Sequence, residues 1–423
     1  MKRVLAIRDF LLLWIGQGTS MLGDQFQSIA GAWLVLKLTG DPLALGAVLA
    51  VGGIPRAIFT VVGGAVTDRI SPRRLMILAD LIRLALSALL ALQVFTATLR
   101  PWMIYLYSLF GGIVSGLFAP ASMSMAPRLV SRDDLQAGNS VMEGTTQLIG
   151  FIGPAIAGGL IAAFPSKNIG VGLAIAFNAL TFIVSVVTLQ MMRAGAEVMT
   201  PVQTALRIGV LESIRDGFSY MLKDPFLRSM FVVLVVANMA FGGPVLVGIP
   251  YLANTRFPEG AAAYGLIISG YAGGNLLGIL LSGSLPKMVQ KMVRVFLVVM
   301  FAAFALGVAA LAWINLIWLA MAVLFVLGVM NGYLTILLIT GLQRNTPQEM
   351  LGRLMSMVLL GNLAFMPLSQ VMAGVILRWS VPGLFLLAGG LLGGCAIYLA
   401  VPQIGTRLSL GLAADLHGTA ETG

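Results

Sequence analysis

Charge is what this chain of 423 residues lacks most: 26 Lys and Arg with 16 Asp and Glu make only 10% of its positions. A soluble domain carries about 25%, so a water-soluble globule is excluded. Cysteine and histidine are nearly missing. The single thiol, Cys395, permits no internal disulfide, and the single imidazole, His417 in a polar tail, provides no metal cluster. There is no G-x-x-x-x-G-K-[ST] phosphate loop and no H-E-x-x-H helix, which removes an ATP-driven pump built on this chain alone and a zinc hydrolase of that type. A G-x-S-x-G elbow would need a strand-to-helix turn, which a helical pattern does not offer. An enzyme is therefore not expected, and neither a metal nor another cofactor is called for.

Apolar length is what the chain has instead, with 59% hydrophobic residues. Runs of about 20 apolar residues span a bilayer as helices. They fall near 10–36, 44–66, 75–98, 101–125, 136–164, 170–192, 226–253, 261–285, 292–313, 316–341, 354–377 and 382–402, which makes twelve. Met1-Lys2-Arg3 and Arg8 lead into a first span too long for the apolar core of a signal peptide. The net charge of +10 does not point to nucleic acid, because the cations sit in short loops between spans. Placing both termini in the cytoplasm puts nineteen Lys and Arg inside and five outside, the asymmetry that orients membrane proteins. The expected fold is an all-α membrane protein of twelve transmembrane helices in two pseudo-symmetric six-helix bundles. The plasma membrane, in a bacterium the inner one, is the expected location.

The longest polar break divides six spans from six. It gives an N-terminal bundle over 1–192, a cytoplasmic linker over 193–225, a C-terminal bundle over 226–405 and a polar cytoplasmic tail over 406–423. In the linker, Leu211, Ile214, Phe218, Met221 and Leu222 recur at helical spacing, as in an amphipathic helix on a membrane surface. The halves also echo each other. Aligning "LGAVLAVGGIPRAIFTVVGGAVTD" with "YGLIISGYAGGNLLGILLSGSLPK" brings Gly46 onto Gly265 and Gly64 onto Gly283. Halves related by an axis along the membrane normal place a substrate site between them near the midplane.

Against so little charge, an acid inside a span stands out. A carboxylate at the bilayer centre costs about 2.5–3.5 kcal/mol on insertion scales, and such residues are usually functional. Asp24 lies about 21 Å into the first span and Glu143 about 10 Å into the fifth, at 1.5 Å per residue. Each belongs to a polar stripe at three- and four-residue steps: Gln17, Ser20, Asp24, Gln27, Gly31, and Gln136, Asn139, Glu143, Gln147, Gly150. A polar stripe on a membrane helix faces a cavity or the bundle interior. A buried carboxyl that gains and loses a proton would exclude a lipophilic cation while protonated, which is the physical basis of antiport. The expected energy source is the proton gradient. The alternative for Asp24 is a fixed ion pair with Arg56, which lies near the same depth in the second span. For Glu143 it is a hydrogen-bonded helix contact.

The stretches "FLLLWIGQGTSMLGDQ", "WLVLKLTGD", "GGAVTDRISPRRLMI", "APRLVSRDDLQAGNS" and "NTPQEMLGRLMSM" carry a family likeness. In these the chain resembles the major facilitator superfamily, in its drug:proton antiporter branch of macrolide-efflux and enterobactin-exporter proteins. "GGAVTDRISPRR" matches the superfamily's loop signature G-x-x-x-D-R-x-G-R-R except at Ser71 and Pro72. The resemblance implies that Asp68 closes an inner gate with Arg69, Arg73 and Arg74, that Asp80 and Arg83 extend this network, and that Gly64 permits close helix approach. The fourth-span R-x-x-x-G arginine is missing, since "GIVSG" places Gly112 there. The fifth-span signature survives in part as "GPAIAGG", Gly153 to Gly159. By resemblance the protein is a monomeric exporter of small amphipathic or lipophilic molecules, driven by protons within a lipid bilayer. A siderophore exporter or lysophospholipid translocator, with Arg56 drawing an anionic group, is the alternative; a non-transporting receptor or scaffold is another.

Overall fold

The computed structural model describes residues 2–67, 69–164, 169–193, 224–284, 290–345 and 365–412, with the isolated positions 219 and 361. Asp68, nearly all of the linker with its expected amphipathic helix, and the "NTPQEMLGRLMSM" segment beyond Asn345 lie outside these residues. Helix dominates what remains, because a chain in hydrocarbon must satisfy its backbone groups internally.

After a single turn at Lys2–Leu5, thirteen helices of more than ten residues follow in order among the described residues. The first six are α1 (Arg8–Thr39), α2 (Pro42–Thr67), α3 (Pro72–Phe95), α4 (Pro101–Leu129), α5 (Leu135–Ala163) and α6 (Ile169–Met191). The next six are α7 (Pro225–Thr255), α8 (Ala261–Ser284), α9 (Gln290–Ala310), α10 (Ile317–Asn345), α11 (Phe365–Leu377) and α12 (Val381–Ala400). Ten of these are long and apolar enough to cross a membrane. Of the other two, α1 spans 32 residues but carries Arg8, Asp9, Asp24 and Lys37, and α11 is described only over Phe365–Leu377. Proline opens α2, α3, α4, α7 and α13, where its missing N–H costs nothing. The departure from the loop signature at Pro72 thus has a local purpose: it starts α3, with Ser71 buried as the residue before it.

Two elements differ from the expectation. α7 contains a π turn at Pro244–Gly248, where the proline interrupts the regular ladder. A thirteenth helix, α13 (Pro402–Leu412), crosses the expected boundary at 405 into the polar tail. It packs against α7, α9, α10 and α12, and Ser409 on it is buried.

Packing repeats between the first six helices and the last six. α2 lies against α4 as α8 lies against α10, and α3 against α6 as α9 against α12. Both of the first contacts are glycine-lined: a Cβ at Gly112 would strike the Gly52 backbone, and one at Gly274 the Phe325 backbone. The arginine at the start of the third helix of each half also plays one part twice. Arg73 donates to the carbonyls of Leu189 (2.6 Å) and Gln190 (2.7 Å) at the end of α6; Arg294 donates to Ala400 (2.6 Å) at the end of α12. A cation there satisfies orphan carbonyls and complements the helix dipole.

The described cations separate by end. Arg3, Arg8, Arg69, Arg73, Arg74, Arg128, Arg193, Arg228 and Arg294 mark a cation-rich end; Lys37, Arg100, Arg256 and Arg378 mark a cation-poor one. Among the described residues, contacts joining the two halves include several toward the cation-poor end. There Gly46 of α2 rests on the Gln370 backbone of α11, and Gly265 of α8 rests on the Pro154 backbone of α5. These are the two glycines that the sequence alignment superposes.

Candidate functional site: a buried charge cluster in the first half

α6 carries a seam of polar residues, Asn178, Thr181, Ser185 and Thr188, one turn apart and all buried. Buried polar groups need partners: Thr181 and Thr188 donate to carbonyls of α6 itself, while Ser185 and Asn178 reach α3 and α1. Gly16 and Gly23 let α1 approach so closely that a Cβ at either would collide with Thr188 or Thr181. Ser185 donates to Asp80 Oδ2 at 2.6 Å, and Asn178 donates to Ser87 (3.3 Å) and to Gln27 (3.4 Å).

Asp80 is completely buried. Its second oxygen, Oδ1, stands 3.6 Å from Arg83 Nη1; neither atom has a hydrogen-bond partner within normal reach. Arg83 Nη2 donates to Ser115 on α4 at 3.1 Å and faces Asp24 Oδ2 on α1 at 3.5 Å. The guanidinium is sandwiched between two rings, 4.9 Å from the Phe118 centroid and 5.0 Å from that of Phe182. Such cation–π contacts strengthen where water is excluded. Exposure rises along the cluster, from 0% for Asp80 through 12% for Arg83 to 44% for the Asp24 side chain. α1 packs against α2, α4, α5, α6, α7 and α8, and the Asp24 side chain on it is half-exposed. Two acids share one base.

This placement corrects several expectations. Asp24 faces Arg83, not Arg56. Arg56 is exposed on α2, one turn beyond Gly52 and Gly53, and pairs with no carboxylate among the described residues. Asp80 and Arg83 sit about 12 Å and 16 Å into α3 at 1.5 Å per residue, paired with each other and with Asp24; the Asp68 gate they were expected to extend lies outside the described residues. Arg73 is spent on capping α6, while Arg69 and Arg74 are exposed. Gly64 faces open space, and the close approach belongs to its neighbour Gly63, which lies against Leu117 and Pro120 of α4.

The remaining polar residues divide between two surroundings. Gln17 is buried, accepts from Ser122 at 3.0 Å and leaves its Nε2 without a partner. Glu143 is exposed and accepts only from Gln147, at 2.8 Å, among the described residues. Gln136, Asn139, Glu143 and Gln147 continue the face of α5 on which Pro154 and Gly158 pack against α8. That face points at the second half, and Asn139 on it is exposed. Ser185, Ser115, Phe118 and Phe182 were not anticipated as site residues. The three- and four-residue spacing of the α6 seam was the signal that pointed to Ser185.

A family profile of the major facilitator group, described as "Transmembrane secretion effector", matches residues 4–418. The chain belongs to the major facilitator superfamily. It is 26% identical over 375 residues to the multidrug efflux pump Tap of Mycolicibacterium fortuitum, covering 86% of this chain and 88% of Tap. It is 30% identical over 301 residues to the enterobactin exporter EntS of Escherichia coli, covering 69% of this chain and 67% of EntS. Among solved structures, the nucleoside transporter NupG superposes with a TM-score of 0.68 at 15% identity, over 93% of this chain and 98% of that one. That last likeness speaks to the fold alone. As a major facilitator protein with exporter relatives, the chain is a multi-pass integral membrane transporter and not an enzyme.

The structure also explains the major facilitator arginine missing from α4. Gly112, in its place, is pressed against the Gly52 backbone, and no side chain fits between them. The cation beside Asp24 comes from α3.

Proposed function

We propose that this transporter exports amphipathic or lipophilic compounds in exchange for protons, by alternating access between two six-helix halves. By the excess of cations at one end, that end is cytoplasmic, together with both termini. The contacts near Gly46 and Gly265 then close the outer side. A cavity reached from the cytoplasm is where an exporter would load its substrate.

One observation carries the proton part: Asp24, half-exposed, competes with the buried Asp80 for a single guanidinium. With Asp24 protonated, Arg83 and Asp80 balance. With Asp24 ionised, the cluster holds one uncompensated negative charge, which a second cation or a proton can neutralise, but not both. Binding of a lipophilic cation therefore favours release of the proton, and proton return favours release of the cation. Each unit charge moved across the membrane adds about 2.3 kcal/mol per 100 mV to the driving force. Flux of tetraphenylphosphonium in proteoliposomes with an imposed pH gradient tests the reading; flux indifferent to the gradient would contradict it.

Arg56 supports a second reading. An exposed guanidinium on α2 without a carboxylate partner among the described residues offers a site for an anionic group, as on a siderophore. EntS, an enterobactin exporter by name, adds weight. Loss of siderophore export on Arg56→Gln, with cation export retained, would favour it.

A further inference from the structure

Away from the charge cluster, the second half holds a cavity of about 370 Å³. Binding pockets for small molecules begin at roughly this size. It is lined by α7, α9, α10 and α12, with Met366 from α11, and is open on the side of Thr335 and Ile339. Phe241, Phe301 and Phe304 supply aromatic walls, Met230 and Met300 adaptable ones, and among the described residues no charged side chain lines it. Polarizable, unbranched thioethers suit ligands of varied shape.

Two further features distinguish the cavity from a packing flaw. The first is Asn331 on α10, whose side-chain amide lines the cavity and has no hydrogen-bond partner among the described residues. The neighbouring amide of Asn238 is already engaged, donating to the Leu234 carbonyl at 2.9 Å. The second is the wall itself. Phe241 and Gly242 line the cavity just before the π turn of α7, and the Gly243 N–H leaves the helix ladder to donate to Ser369 of α11 at 2.7 Å. Local π turns are frequent at functional sites.

We infer that this cavity is a subsite for the uncharged, aromatic part of the exported compound, whose carbonyl or hydroxyl pairs with Asn331. The inference rests on the export reading and adds a division of labour. The first half titrates; the second half recognises apolar shape without using charge.

The test uses full-length protein in lipid nanodiscs, titrated with the neutral fluorophore N-phenyl-1-naphthylamine. Saturable binding is expected, weakened by roughly tenfold or more in Asn331→Leu and in Thr335→Trp, which fills the cavity from an exposed position on its lining. Equal affinity in both variants would overturn the subsite, as would displacement by lysophospholipid but not by any exported drug, which would make it a lipid site. Gradient-driven flux is measured on the same purified proteins reconstituted into proteoliposomes. Probe binding without such flux would sink the proton-export reading and leave the pocket standing; flux with no specific probe binding would do the reverse.

Discussion

Asp41 and Arg378 tie the two halves together at the cation-poor end. Arg378, which follows α11, donates through Nε to Asp41 Oδ1 at 2.8 Å and through Nη2 to Oδ2. Asp41, between α1 and α2, also accepts from the Leu43 backbone at 3.0 Å. The guanidinium holds the Asp41 carboxyl below the ordinary carboxylate range. The sign follows from linkage: a depressed carboxylate pKa means the pair is present above the ordinary value and lost only as pH falls through the lowered one. Between about pH 5 and 7 the pair should therefore be insensitive to the proton gradient. Pulsed electron-spin distances across the cation-poor end should stay constant over that range in the native protein. They should lengthen in Asp41→Asn and return in the swapped pair Asp41→Arg with Arg378→Asp.

Arg83 should matter for stability as well as for transport. Arg83→Ala strands Asp80 in a fully buried position, a loss of about 3–5 kcal/mol for a broken buried pair. Adding Asp80→Asn to that variant should recover much of the loss, because the unpaired charge goes with it. Thermal unfolding of purified protein reads both. Arg83→Lys keeps the charge but not the planar group held between Phe118 and Phe182, so it should fall between native and Ala.

Adjacent glycines should respond oppositely to a methyl group. Gly112→Ala pushes a Cβ into the Gly52 backbone and should cost about 1–3 kcal/mol. Gly111→Ala meets nothing within 4 Å and should be close to neutral or slightly stabilising. Gly63→Ala against Gly64→Ala repeats the comparison on α2. Similar melting for both members of a pair would refute the helix crossing described here.

Glu143 should tune selectivity more than coupling. It faces the second half, with only Gln147 as partner among the described residues, and takes no part in the Asp24 cluster. Glu143→Gln should lower export of cationic compounds several-fold while leaving neutral ones near native levels, as measured by competition in the same vesicles.

Much of this was legible in the sequence because membrane spans are written in one dimension. Length, loop charge and stripe spacing placed the helices, the polar face of α1 and two of the acids within spans, Asp24 and Glu143, but not the depth of Asp80. Depth along a helix is also one-dimensional, which is why Arg56 looked like a partner for Asp24. Direction around the axis is a different coordinate, and the partner is set by which neighbour α1 packs against. Arg83 reaches Asp24 because Gly16 and Gly23 bring α1 onto α6, and Ser185 of α6 holds Asp80 on α3. Nothing in the spacing of α1 alone encodes that three-helix arrangement. The same limit explains Gly63 and Gly64: the pair was visible, but which member faced α4 was not. Arg73 illustrates another case, since a cation in a loop motif reads as a gate until the carbonyls of Leu189 and Gln190 are seen beside it.

Proton release on substrate addition, followed with a pH dye in lightly buffered detergent solution, bears most directly on the Asp24 cluster. Native protein should release about one proton per bound lipophilic cation, and Asp24→Asn should release almost none while still binding. Undiminished release from a well-folded Asp24→Asn protein would place the exchange site elsewhere and leave the Asp24–Arg83–Asp80 cluster a structural one.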